Sequence, residues 1–199
     1  MKITSNILVS DRKIITQAQR SAQTSATILQ YLDIIAEKLG QIIAIGTNKT
    51  IFIKIENPNV ALAVIYSKPI DLKVVGAETE NGNLTLGFRD TNYETVLASA
   101  EVPKDTFKNK SQIVYSFLFR NDLLFQTEKQ LNDLQKGDKL SDQLSSKILA
   151  VSFSKEIIEN LTSQVSFIFK KTGNVSSKES QTVKNICTFW NPNIRKFLT

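Results

Sequence analysis

The apolar period of this 199-residue chain changes from about 3.6 to 2 near Gly46, and that switch restricts the fold more than any other feature. Before it, Ile28, Leu32, Ile35 and Leu39 recur at i, i+4, i+7 and i+11, one stripe of a helix. Gln30, Asp33, Glu37 and Lys38 fall largely elsewhere on the wheel. The spacing predicts a helix over Thr24–Leu39 with Gly40 as its stop, although the apolar pattern runs on into Ile42 and Ile43. Upstream, Asp11–Ala26 is polar and helix-compatible but has no wide apolar face.

From Lys49 onward apolar residues alternate. Ile51, Ile53 and Ile55 interleave with Phe52, Lys54 and Glu56; after the turn Asn57-Pro58-Asn59 come Val60, Leu62, Val64 and Tyr66. Leu72–Val75 suggests a further strand, and Leu84, Leu86 and Phe88 follow the turn signal Asn81-Gly82. Ile113, Tyr115, Phe117 and Phe119 form the longest alternating run. Leu149, Val151 and Phe153, then Val165, Phe167 and Phe169, repeat the pattern near the end. Between them, Gln126–Ser146 is rich in Gln, Asp, Lys and Ser and reads as a long exposed insertion.

Six or more short strands with turn signals between them predict a mainly β fold: an antiparallel β-sandwich preceded by a short helical segment. Residues 1–45 form the helical part and 46–199 the sandwich. The core is expected to include Ile53, Leu62, Leu86, Tyr115, Phe117, Val151, Phe153, Val165 and Phe167.

Composition narrows the function. Apolar residues make up 41% of the chain, enough for a full core, yet no run approaches the roughly 18 residues of a membrane helix. Met1–Ser10 is too short and polar for a signal peptide. The net charge of +6 is spread over groups such as Lys104/Lys108/Lys110, Lys170/Lys171 and Arg195/Lys196, each mixed with acids or apolar residues. The nearby Phe117, Phe119, Phe167 and Phe169 have strand-core spacing, so a nucleic-acid partner is not expected.

No enzyme is expected either. The chain has no histidine, and its lone Cys187 has no local base, so no Ser-His or Cys-His pair exists. Glu78/Glu80 and Glu156/Glu159 lie in turn-like or polar segments and read as solvated. Nothing has metal-ligand spacing or a glycine-rich strand-to-helix loop, so no metal or cofactor is implied. Cys187 makes no intrachain disulfide: in a secreted protein it lacks a partner or is a reactive thiol, and in a cytosolic one it is ordinary packing. Five Asn-x-Ser/Thr sequons, at Asn48, Asn83, Asn109, Asn160 and Asn174, fall at predicted turns or strand starts, where a glycan would stay in water.

Ile148–Ser154, Leu161–Phe169 and Cys187–Asn191 match, in order and spacing, the end of the GAIN domain of adhesion G-protein-coupled receptors and polycystin-like proteins. Cys187-Thr-Phe-Trp-Asn191 resembles the Cys-x-Phe-Trp opening of the GPCR proteolysis site, or GPS motif, with Cys187, Phe189, Trp190 and Asn191 as its structural remnant. Asn57–Val64, Val102–Phe107 and Asn121–Phe125 resemble earlier segments of the same family.

In that family the motif runs through further cysteines to His-Leu-Ser/Thr, where the backbone cleaves itself. Here Pro192–Thr199 follows instead, with Phe197 where the histidine would stand. The resemblance implies that Cys187 pairs with a cysteine beyond residue 199, that Phe189 and Trp190 pack rather than react, and that the chain is truncated inside the motif. Loss of a final strand is expected to leave unpaired backbone groups and a marginally stable fragment.

The function this implies is that of an extracellular GAIN-type domain of an adhesion receptor. It would be a shell for a tethered agonist strand, transmitting a signal to a transmembrane bundle, and would not cleave itself as it stands. The implied partners are the missing C-terminal strand, the seven-helix transmembrane region of the parent receptor and an extracellular protein ligand. The competing reading is a stand-alone secreted β-sandwich binding module. A self-cleaving hydrolase would need the absent His-Leu-Ser/Thr triplet.

Overall fold

Alternation along residues 52–169 is realised as two antiparallel sheets stacked face to face, with a helix laid over the outside of one of them. The computed structural model describes residues 24–46, 52–88, 95–107, 110–121, 124–125, 146–154, 164–171, 189–191 and 196–198, together with Thr4, Asn6, Val9 and Ile14. The expected insertion Gln126–Ser146 lies outside these apart from Ser146, and Asp11–Ala26 lies outside apart from Ile14 and residues 24–26.

Helix α1 (Thr24–Gly46) precedes strands β1 (Phe52–Ile55), β2 (Val60–Ser67), β3 (Leu72–Glu78), β4 (Leu84–Phe88) and β5 (Val96–Val102). A 3-10 turn, Lys104–Phe107, leads to β6 (Gln112–Phe119), β7 (Ile148–Phe153), β8 (Ser166–Phe169), β9 (Phe189–Asn191) and β10 (Lys196–Leu198). One sheet has the order β1-β2-β6-β7, the other β4-β3-β5-β8, and β9 pairs with β10 in a separate ribbon. The mainly β, antiparallel sandwich expected from the alternation is therefore present.

Strands β2 and β6 are buried on both faces because a different layer covers each. In their antiparallel register Val60, Leu62 and Val64 lie opposite Phe119, Phe117 and Tyr115, and this bulky face packs under α1. The other face pairs Ala61 with Leu118, Ala63 with Ser116 and Ile65 with Val114, and it meets Leu72, Val74, Leu86 and Ala98 of the second sheet. Small side chains let the sheets come close: a Cβ added to Gly76 would stand 3.0 Å from Leu118 Cδ2. Ser116, fully buried there, donates its hydroxyl to the Ala150 carbonyl at 2.7 Å, so no cost of an unmet polar group arises.

Leu62, Tyr115 and Phe117 are thus buried as expected, but under the helix rather than between the sheets. Leu86 lies in the core between the sheets, against which Val151, Phe153 and Val165 are partly buried, and Ile53 is partly buried on the helix side.

Helix α1 differs from the expectation in length and rotation. It runs through Gly40 to Gly46, and its buried face is Leu32, Ala36, Gly40 and Ile43. Ile35, expected on the inward stripe, is 43% exposed. One residue turns a helix by about 100°, so seating Ala36 against the sheet carries its neighbour away. Tyr31, Ile34, Ile42 and Ile45 share the outward side with Ile35. Ala36 and Gly40, the two small residues at the centre of that face, let the helix approach the sheet.

Burial, and then the Asp33 and Glu37 carboxylates, push the Tyr115 phenol up to about 12 from its ordinary 10.0, with a hydrogen bond to Ser152 opposing them. The sign follows from linkage. The neutral phenol's contribution to stability is intact below pH 10 and is lost as pH rises toward about 12, because the unfolded chain releases this proton first. An alkaline titration followed by ultraviolet absorbance is expected to show one of the four tyrosines ionising late, together with loss of structure. Tyr115→Phe should remove that late step.

Candidate functional site

One end of the sandwich is tied by Arg120, the residue that follows β6. Its backbone N–H donates to the Asn59 carbonyl at 3.0 Å and its Nε donates to the Pro58 carbonyl. Its Nη2 donates to Glu78 Oε1 at 3.0 Å and to the Gly82 carbonyl at 2.7 Å. Lys147 Nζ donates in turn to the Arg120 carbonyl at 3.1 Å. Burial lowers the Lys147 ammonium below its ordinary pKa and the Arg120 cation lowers it further, while Glu78 opposes both.

The guanidinium therefore gathers Pro58, Glu78 and Gly82, while the Arg120 main chain holds Asn59 and Lys147. Nothing in the local sequence marks Arg120, since the partners of its guanidinium lie 38 to 62 residues away. Arg120→Ala is expected to lower stability by about 1–2 kcal/mol, the worth of charged hydrogen bonds that remain partly solvated. Arg120→Lys should recover little, because one ammonium does not reproduce a planar fork. Chemical denaturation of the two variants checks both statements.

Of the carboxylate pairs weighed for acid–base work, Glu78 is in this ion pair and Glu80 is exposed. Glu156 and Glu159 lie outside the described residues. Among the described residues no three His, Cys, Asp or Glu side chains converge as metal ligands.

Asn83 is the sequon residue that the structure describes; Asn48, Asn109, Asn160 and Asn174 lie outside the described residues. It closes the turn between β3 and β4. Thr79 N–H donates to the Asn83 carbonyl at 2.9 Å, Gly82 N–H donates to the Thr79 carbonyl at 2.9 Å, and Asn83 N–H donates to Thr79 Oγ1 at 3.2 Å. Gly82 adopts φ +73°, a left-handed conformation that a side chain would strain.

The described residues of the C-terminal motifs lie on or next to β7, β8 and the separate β9–β10 ribbon. β8 is the edge strand of the second sheet, with Ala100 opposite Phe167 and Ala98 opposite Phe169. All four of its residues are exposed. Phe167, expected in the core, is 47% exposed and stacks on Phe169 with ring planes 5° apart and centroids 6.2 Å apart. The cause is the stacking offset of the sheets: β7, the last strand of the helix-covered sheet, packs over β5, one strand short of β8. Phe189, Trp190 and Asn191 form β9, which pairs antiparallel with β10. Trp190 lies opposite Phe197 and Phe189 opposite Leu198. Cys187 lies outside the described residues.

The described residues thus form a helix-covered antiparallel sandwich together with a Phe189-Trp190-Asn191 strand paired to β10. The family model for GPS, described as GAIN subdomain B, matches residues 47–197. The chain belongs to that family, as the motifs at its C-terminal end implied. Its fold is similar to that of the full extracellular region of zebrafish Gpr126/Adgrg6, with a TM-score of 0.70 over 96% of this chain at 19% identity. The chain spans 23% of the length of that structure's chain. No curated protein sequence gives a significant match.

Proposed function

We propose that this chain is an extracellular domain of an adhesion receptor, a folded shell that holds a tethered strand and relays ligand engagement or force to a seven-helix membrane bundle. The observation that carries this reading is the likeness to a receptor's extracellular region across 96% of the chain, helix and sandwich together. The exposed β8 edge supports the part concerning a held strand. Among the described residues it pairs on one side only, with β5, so that its other side has backbone donors and acceptors beside Phe167, Ile168 and Phe169 that suit strand addition. In this reading residues 1–45 are a helical segment, 46–199 form the sandwich, and Phe189 and Trp190 pack within it. Surface biotinylation of intact cells that make the epitope-tagged parent protein tests the assignment. Labelling of this domain without permeabilisation is expected, and labelling that requires permeabilisation overturns it.

The same reading has the chain intact rather than self-cleaved. Cutting a peptide bond with a Ser or Thr hydroxyl needs a base, and this sequence contains no imidazole, with Phe197 lying opposite Trp190 in the register of β9 and β10. Protein purified with protease inhibitors is expected to give one species at the full mass. Two stable fragments cut within the β9–β10 region would contradict it.

A further inference from the structure

We propose that Asn83 is the acceptor of an N-linked glycan, and that the glycan is attached before β3 and β4 pair. The proposal rests on the extracellular reading above. Asn83-Leu84-Thr85 is an Asn-x-Thr acceptor sequence, and its three residues meet very different surroundings.

The main chain of Asn83 is engaged on both sides: its N–H donates to Thr79 Oγ1, and its carbonyl accepts from the Thr79 N–H and Oγ1. Its carboxamide makes no hydrogen bond among the described residues and is not among the buried polar atoms left without a partner. Glu80 and Asn81 beside it are exposed. Asn83 itself is half-buried, and a sugar leaving from its carboxamide nitrogen displaces no hydrogen bond among the described residues.

Thr85 is the opposite case. It is 0% exposed, lies on β4 opposite Ala77 of β3, and donates its hydroxyl to Glu56 Oε1 at 2.6 Å. A transferase that reads the hydroxyl two residues beyond the acceptor cannot reach it in the closed sheet. The acceptor is thus legible only while the β3–β4 segment is still extended.

The transfer uses an oligosaccharide carried on a lipid diphosphate. The carboxamide nitrogen forms a bond to the anomeric carbon, the bond from that carbon to the diphosphate oxygen breaks, and the lipid diphosphate leaves with the electron pair. The amide proton passes to a base of the transferase. No oxidant or reductant is required.

The test uses the full chain behind a secretion leader in mammalian cells, with glycopeptide mass spectrometry on the secreted protein. The expected result is a glycan on the peptide that contains residue 83. Asn83→Gln should abolish it without lowering the melting temperature of enzymatically deglycosylated protein. Thr85→Ser keeps both an acceptor hydroxyl and a donor to Glu56, so it should retain the glycan. In vitro, purified transferase and lipid-linked oligosaccharide should modify a peptide of residues 79–88 but leave the folded, unglycosylated chain unmodified at Asn83.

An unmodified residue 83 in the secreted protein overturns the site. Transfer to folded chain at the rate seen with the peptide overturns the order of events. The leader imposes passage through the secretory pathway, so failure here is distinct from failure of the surface-labelling test of where the natural protein resides.

Discussion

Phe119→Ala is expected to destabilise the domain by about 3–5 kcal/mol, the usual cost of emptying a buried phenylalanine site. Phe119 is 1% exposed and lies between Val60 on β2 and Ile148 on β7. Its ring stacks on Phe117 with centroids 5.9 Å apart and meets Phe125 edge-on at 5.1 Å. Alanine leaves a void beneath two aromatic neighbours that belong to the helix-side cluster with Leu124. Each aromatic pair adds about 0.5–1.5 kcal/mol beyond the area it buries. Against a total stability of about 5–15 kcal/mol, this single change consumes a large share. Urea denaturation should show a lower midpoint with an unchanged slope. Phe169→Ala serves as the comparison: that ring is 40% exposed on the edge strand, and its removal should cost less than about 1 kcal/mol. Similar losses from the two substitutions would contradict the assignment of Phe119 to the core.

Gly40→Ala is expected to destabilise by about 1–3 kcal/mol, the range for overpacking, although helix propensity alone favours alanine over glycine by about 1 kcal/mol. The two effects have opposite signs, and the local packing decides between them. Gly40 lies on the buried face of α1, and a Cβ built there would overlap Ile113 Cγ2, on the first half of β6. Ile113 is 8% exposed, lies opposite Tyr66 of β2 and accepts from the Ser154 N–H at its carbonyl, so it has little room to turn aside. The helix would have to lift from the sheet, loosening Leu32, Ala36 and Ile43 as well. Ile113→Ala alone should cost about 2–5 kcal/mol through the cavity it leaves. The double variant should cost less than the sum, because the new methyl group occupies part of that cavity. Additive losses, or a stabilised Gly40→Ala, would show that α1 does not sit this close to β6.

Gly40 also shows why part of the fold was not legible beforehand. A glycine after an apolar stripe reads as a helix stop, yet here it is a close-approach position within a helix that continues to Gly46. The pattern beyond it, Ile42 and Ile43, was the correct signal. β5 escaped for a different reason. Val96, Ala98, Ala100 and Val102 alternate with Leu97, Ser99 and Glu101, but small side chains make the apolar face weak. The alternation was there to be counted; its partners in β3, Val74 opposite Ala100 and Gly76 opposite Ala98, are what make the strand central to its sheet.

The sequence alone determined the class of this protein. A 3.6-residue period before Gly46 and a period of two after it allow few arrangements besides a helix followed by an antiparallel sandwich, and Cys187-Thr-Phe-Trp-Asn191 pointed to the family that the match over residues 47–197 establishes. Only the tertiary structure decided which layer each face meets. On β2 and β6 both faces are apolar, Val60, Leu62 and Val64 on one and Ala61, Ala63 and Ile65 on the other, so alternation cannot tell the helix side from the sheet side. Volume separates the two: the face with the smaller side chains meets the second sheet, and the aromatic face lies under α1. The same geometry decides Phe167 and Arg120, since one depends on how far the opposite sheet extends and the other on loops that meet only after the strands have paired.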